Sequence, residues 1–302
     1  MELKQYQSTV IKELGEFITC LEQTNQINVA YEKYWNNKGV SLYNIEGNSY
    51  VKPYDNSIKG VPRVTIKVPT AGGKTFIACN TLKTIFDSFP LDKSKVVVWL
   101  VPSDTILQQT VKHLSDTSHP YRQKIDSHFG STVKVYEKEA LLQGASFGPS
   151  EVKEQMSILI LSVQSFVEQV RNGLPRAYRE NSNLLQFSTA IPTSENSLSE
   201  IDETALIQVI NSLNPVVVID ESHNVESKLR IDMLNKFNPS FVLELTATPR
   251  DKSNIISFVD AIHLKKSNMV KLPVIVYNHQ DTNEVISGAI NLQKTLEARA
   301  IL

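Results

Sequence analysis

Val68-Pro69-Thr70-Ala71-Gly72-Gly73-Lys74-Thr75 is the stretch on which the reading of this chain turns. Before it, Val64-Thr65-Ile66-Lys67-Val68 reads as a strand; after it, residues 74–88 read as a helix. A glycine-bearing turn from strand to helix is the setting in which proteins cradle a phosphate. Glycines let successive backbone N–H groups turn inward around an anion, and the helix presents its positive dipole end to the same place. Thr70, Ala71, Gly72 and Gly73 would form the cradle. Lys74 is placed to neutralise the β- and γ-phosphates of a nucleotide, and Thr75 to offer its hydroxyl to Mg²⁺. The complete phosphate-loop pattern begins with glycine, where this chain has Val68.

Two further segments support the same chemistry. Val216-Val217-Val218-Ile219-Asp220-Glu221-Ser222-His223 is an apolar strand ending in two carboxylates. Side chains alternate along a strand, so adjacent acids face differently and can hold different tasks. Asp220 is the expected Mg²⁺ residue, and Glu221 the base that orients and deprotonates an attacking water. His223 is placed to sense the γ-phosphate or to pass its state to the next domain. The plainer reading, a strand closed by a polar turn, suits a single acid better than Asp-Glu-Ser-His downstream of Gly-Lys-Thr. Leu245-Thr246-Ala247-Thr248-Pro249 ends the next strand. The hydroxyls of Thr246 and Thr248 are expected to bond the neighbouring carboxylates and relay the nucleotide state.

The remaining pattern sets the fold class. Val96–Val101, Ile158–Leu161, Val216–Ile219 and Phe241–Leu245 are continuous apolar runs, and Val133–Tyr136 is a weaker strand. Strands apolar on both faces and separated by helical stretches predict an α/β fold, a mostly parallel twisted sheet with helices on both sides. The spacing of Leu3, Tyr6, Val10, Leu14, Phe17, Ile18 and Leu21 predicts an amphipathic helix over 2–22. Two inserts break the rhythm. Residues 23–60 carry Tyr31, Tyr34, Trp35, Tyr43, Tyr50 and Tyr54, rings that could stack nucleobases or, more simply, pack the insert onto the domain. Residues 172–214 read as a long mobile loop over Arg179–Glu203, then a helix at about 200–211. A helix is expected over 253–263, a short strand over Pro273–Tyr277, and a helix over 284–302.

Composition narrows the class. Of 302 residues, 41% are hydrophobic and 21% charged, with a net charge of −1. There is no global basic signature, so any nucleic acid must be met by a local patch. Cys20 and Cys79 make neither a disulfide framework nor a zinc motif, which fits a reducing cytoplasm. No apolar run approaches the ~20 residues that span a bilayer.

The three segments, in this order, resemble motifs I, II and III of superfamily 2 helicases and translocases. Leu3-Lys4-Gln5-Tyr6-Gln7 is similar to that family's adenine-reading segment, which nominates Gln7. Val101-Pro102-Ser103-Asp104 and Leu161-Ser162-Val163-Gln164-Ser165-Phe166 resemble motifs Ia and Ib, which implies contacts to a nucleic-acid backbone by Pro102, Ser103, Gln164 and Ser165. The wording of the phosphate loop and the Val-Gln-Ser-Phe segment look most like the Res, or motor, subunits of type III restriction enzymes. The resemblance implies a RecA-like P-loop NTPase using ATP and Mg²⁺, and a motor acting on DNA, expected to be duplex, in a restriction or phage-defence system. It also implies a possible modification or specificity subunit as partner. Residues 1–270 are expected to form the first RecA-like domain, and 271–302 a linker to a second, not included, that supplies the arginine finger. An RNA helicase motor shares motifs I to III, and a nucleotide-dependent switch could share the site; stimulation of ATP turnover by DNA, by RNA or by neither separates the three. A small-molecule kinase has no use for Asp-Glu-Ser-His with Thr-Ala-Thr-Pro.

Overall fold

The computed structural model describes residues 2–42, 51–166, 174–191, 196–220, 227–269 and 281–300. The chain divides into two compact units, Met1–Met269 and Val270–Leu302. In the first unit seven strands form one sheet: β1 (Arg63–Lys67), β2 (Val96–Val101), β3 (Val133–Glu137), β4 (Met156–Ser162), β5 (Val216–Asp220), β6 (Phe241–Thr246) and β7 (Ile255–Phe258). Their spatial order is β3-β4-β2-β5-β6-β1-β7, and every pairing is parallel. All carboxyl ends therefore open on one edge, the edge at which sheets of this kind bind ligands.

Alternation along the strands builds two cores. Val97, Trp99 and Val101 of β2 face one side with Ile66, Val218 and Leu243. Val96, Val98 and Leu100 face the other with Leu159, Val217 and Val242. The first face is covered by α1 (Gln5–Thr24), α2 (Ile27–Asn37), α3 (Lys74–Phe86), α4 (Asp104–Ser115) and α5 (Pro120–Phe129). The second is covered by α6 (Lys138–Leu142), α7 (Pro149–Glu154), α8 (Leu185–Ala190), α9 (Leu206–Leu213) and α10 (Ser227–Phe237). α11 (Ala261–Lys266) returns to the first face through Leu264. In the second unit α12 runs over Thr282–Ala300. No helix among the described residues is long and apolar enough to cross a membrane.

Three expectations are corrected. Residues 253–263 are not one helix: Ile255–Phe258 form the edge strand β7, and α11 begins only at Ala261. The strand is made by pairing with β1 and by α2, whose Tyr31 hydroxyl and Trp35 indole donate to the Ile255 carbonyl at 2.8 and 3.1 Å. The described part of 179–203 is not a bare loop. A 3₁₀ turn over Ser182–Leu184 runs into α8, because Leu184 and Phe187 bury in the second core, Phe187 4.9 Å from the Phe147 ring. The following helix starts at Leu206 and ends at Leu213, later than the expected 200–211. The strand expected at Pro273–Tyr277 lies outside the described residues.

The aromatic insert packs inward. Tyr31, Tyr34 and Trp35 are buried, and Phe17 of α1 meets Tyr31 and Tyr34 edge-on at 6.3 and 5.9 Å. Tyr43 and Tyr50 lie outside the described residues. Tyr54 donates to the Val61 carbonyl at 3.2 Å and accepts the Arg63 N–H at 2.9 Å. Burial pushes its phenol up to about 12.

That shift gives a pH dependence. Below pH ~10, the ordinary tyrosine value, folded and unfolded states both hold the proton and the contribution to stability is complete. Between there and about 12 only the folded state holds it, so stability falls as pH rises. Tyr31 and Tyr34 are shifted the same way by burial and add to the slope. Unfolding in denaturant at pH 8 to 11 should show a loss of about 1.4 kcal/mol from Tyr54 alone, and Tyr54→Phe should flatten the slope. Equal slopes for wild type and variant would contradict this assignment.

Candidate functional site

Register brings the three quoted segments to one place. Lys67 at the end of β1 lies opposite Thr246 of β6, and Asp220 at the end of β5 lies opposite Leu245. One residue beyond β1, the Val68 N–H still donates to the Thr246 carbonyl at 2.9 Å. The chain then leaves the sheet as the loop 69–73 and enters α3 at Lys74. Gly73 caps that helix with φ 71°, a left-handed conformation that a Cβ disfavours. Ala71 is also left-handed, at φ 67°. Gly72 is needed for another reason: a Cβ there would stand 2.4 Å from Val68 Cγ1 and 3.0 Å from the Pro69 carbonyl oxygen.

α3 folds back across the sheet edge so that the Thr75 hydroxyl donates to the Asp220 carboxylate at 3.1 Å, spanning 145 residues of sequence. Lys74, one residue earlier, is only 8% exposed and Asp220 7%, whereas Thr70 and Ala71 are exposed. A cationic side chain, a hydroxyl, a carboxylate and a helix N-terminus thus meet at one sheet edge. This is the donor set for a polyphosphate with a hard, oxygen-loving cation. Mg²⁺ is ordinarily held by one or two carboxylates together with substrate phosphates, so the pair Thr75–Asp220 fits it. Among the described residues no group of three or more His, Cys, Asp or Glu is arranged to hold a metal by protein alone. Behind the site, burial and the Asp220 charge push the Cys79 thiol far up, leaving it neutral.

The other expected residues fall as follows. Gln7 is fully buried against the loop; its Oε1 accepts the Lys4 N–H at 3.0 Å and its Nε2 lies 3.5 Å from the Gly72 carbonyl. Tyr6, which the sequence reading passed over although it adjoins Gln7, donates to that carbonyl at 2.8 Å. Thr246 is buried, and its hydroxyl accepts the Thr248 N–H at 3.2 Å; Thr248 is exposed. Glu221 and His223 lie outside the described residues.

Farther along the same edge, Gln164 and Ser165 sit on a 3₁₀ turn directly after β4. They line a cleft of about 300 Å³ with Asp104 and Leu107 of α4 and Glu137–Glu139. Pro102 and Ser103 lead into α4, whose first turn is capped by the Ser103 hydroxyl accepting the Ile106 N–H at 3.4 Å. Asp104, Glu137 and Glu139 oppose Lys138 in this cleft. Glu137 accepts from Gln108 at 3.2 Å and Glu139 pairs with Arg176 at 3.4 Å. The cleft itself is therefore acidic, a feature the motif resemblance did not reveal.

Residues 1–251 match the family model described as "Type III restriction enzyme, res subunit". No curated protein matches the chain. Among similar solved structures is a nuclease-deletion mutant of the Type ISP restriction-modification enzyme LlaGI in complex with a DNA substrate mimic, at 12% identity and TM-score 0.43, covering 98% of this chain and 22% of that one. The UvsW helicase from bacteriophage T4 matches at 16% identity and TM-score 0.32, over 74% of this chain and 60% of its own. The ATP-dependent Type ISP restriction-modification enzyme LlaBIII bound to DNA matches at 13% identity and TM-score 0.40, over 82% and 13%. The chain spans less than two thirds of the length of each of these three.

Proposed function

The chain belongs to the type III restriction enzyme res-subunit family, and from that premise we propose that residues 1–270 are the first RecA-like lobe of an ATP-driven DNA motor. The observation that carries the reading is the Thr75–Asp220 hydrogen bond at 3.1 Å, which joins the phosphate loop to the acidic strand end. A restriction or phage-defence system, with a modification or specificity subunit as partner, is the setting that the family suggests. Residues 271–302 are assigned to the linker toward the second RecA-like lobe.

ATP supplies the phosphoanhydride bond that is broken, and Mg²⁺, when bound, would neutralise charge around its phosphates. The loop amides of residues 70–73 and the Lys74 ammonium bind those phosphates. Thr75 and Asp220 would hold the metal. Glu221 orients the attacking water and takes its proton. Contact of Gln7 with adenine would exchange its present bonds at Lys4 and Gly72 for bonds to the base. Thr246, Thr248 and His223 carry the nucleotide state along the edge toward the cleft. There Gln164, Ser165 and Ser103 donate neutral hydrogen bonds to the nucleic-acid backbone, with Pro102 in contact beside them, because Asp104 and Glu137 repel phosphates.

Titration calorimetry with Mg-ATP tests the reading. Wild type should bind, and Gly72→Ala should bind about tenfold more weakly, because its Cβ must displace Val68 or the Pro69 carbonyl and with them the donors of the cradle. Unchanged affinity in the variant would remove the loop from the site, and no binding by the wild type would end the ATP reading.

A further inference from the structure

The loop 69–73 is held in a shape that its own backbone does not favour. Ala71 and Gly73 are both left-handed, at φ 67° and 71°. For alanine that conformation is strained, and such strain persists where surrounding contacts over-determine it. One contact is local: the Gly72 N–H donates to the Pro69 carbonyl at 3.0 Å. The other comes from 66 residues away, where the Tyr6 hydroxyl in the first turn of α1 donates to the Gly72 carbonyl at 2.8 Å. Tyr6 is 4% exposed, so water does not compete for this bond. The nearby Gln7 Nε2, at 3.5 Å, is at the outer limit of a hydrogen bond and adds little.

A trans peptide is planar, so its C=O and N–H point in opposite directions. Fixing the Gly72 carbonyl toward α1 therefore aims the Gly73 N–H at the opposite face of the loop. We infer that Tyr6 is a positioning residue of the phosphate loop, whose hydroxyl sets the direction in which the Gly73 amide is offered to a nucleotide phosphate. The inference rests on the ATP-binding reading and deepens it: α1 braces the cradle as well as supplying Gln7. Burial pushes the Tyr6 phenol above its ordinary range.

The test compares Tyr6→Phe with Tyr31→Phe. Tyr31 also loses a hydroxyl that donates to a backbone carbonyl at 2.8 Å, but on β7, away from the loop. Thermal unfolding, Mg-ATP affinity by calorimetry, and amide hydrogen exchange over residues 69–75 without nucleotide are measured for both. Both variants should unfold at slightly lower temperature. Only Tyr6→Phe should exchange faster in the loop and bind Mg-ATP more weakly, each by about three- to tenfold, the size of one lost hydrogen bond. Loop exchange at the wild-type rate in Tyr6→Phe would overturn the inference. So would faster exchange with undiminished affinity, or equal effects of the two variants on affinity. If the wild type binds no Mg-ATP while the loop still loosens in Tyr6→Phe alone, the ATP reading fails, the phosphate-directing role falls with it, and a mechanical brace remains.

Discussion

Lys74→Ala binds Mg-ATP at least about a hundredfold more weakly than wild type, the effect of losing charge-assisted bonds to two phosphates. Lys74 opens α3, is 8% exposed, and stands beside the Thr75–Asp220 pair. In such a water-poor setting a cation cannot be replaced by solvent, so the phosphates that it would neutralise are left uncompensated. Lys83→Ala is the control: this lysine lies on the same helix, pairs with Asp87 four residues on, and is 47% exposed in its side chain. It should leave affinity unchanged. Wild-type affinity in Lys74→Ala, with the fold intact by circular dichroism, would contradict the assignment of the loop.

Glu221→Gln separates binding from chemistry. The variant keeps the metal residue Asp220 and the whole loop, so Mg-ATP affinity should stay close to wild type. Turnover should fall by about 10²–10⁴, the usual contribution of a general base. The measurement is steady-state ATP hydrolysis by the protein at its full natural length in the presence of DNA, beside a binding titration. A variant that still turns over at the wild-type rate would move the base elsewhere, and a variant that loses binding would make Glu221 a ligand-holding residue instead.

What the sequence disclosed followed from how much of each signal is local. β2, β4, β5 and β6 lie inside the sheet, are apolar on both faces, and stand out as continuous runs such as Val96–Val101. The loop was legible because Gly72, Gly73, Lys74 and Thr75 are adjacent. The strand β7 was misread because Ile255, Ile256, Val259 and Ile262 fit helical spacing equally well. Its strand character comes from pairing with β1, nearly two hundred residues earlier, and from the α2 rings that take its carbonyls. The order over Leu184–Phe187 was missed for a similar reason: polar composition suggested a loop, but two apolar residues suffice once Phe147 provides a surface. In the site, Gln7 was singled out by resemblance, whereas Tyr6 acquires its contact only when α1 is folded against the loop. The acidic lining of the cleft was invisible because Asp104 opens α4 whereas Glu137 ends β3 and Glu139 follows it, about thirty residues later.

The acidic cleft also bears on how DNA would be held under the proposed function. With a net charge of −1 and three carboxylates lining the cleft, this lobe offers little general attraction to a polyanion. Directional hydrogen bonds from Gln164 and Ser165 would then matter more than charge, and the dependence on salt contributed by this lobe should be shallow.

The most direct test of the central claim is ATP hydrolysis by the protein at its full natural length, measured without nucleic acid and with duplex DNA, single-stranded DNA and RNA. The account predicts strong stimulation by DNA, abolished by Lys74→Ala. Bound Mg-ATP with a rate that no DNA changes, or stimulation by RNA alone, would contradict it.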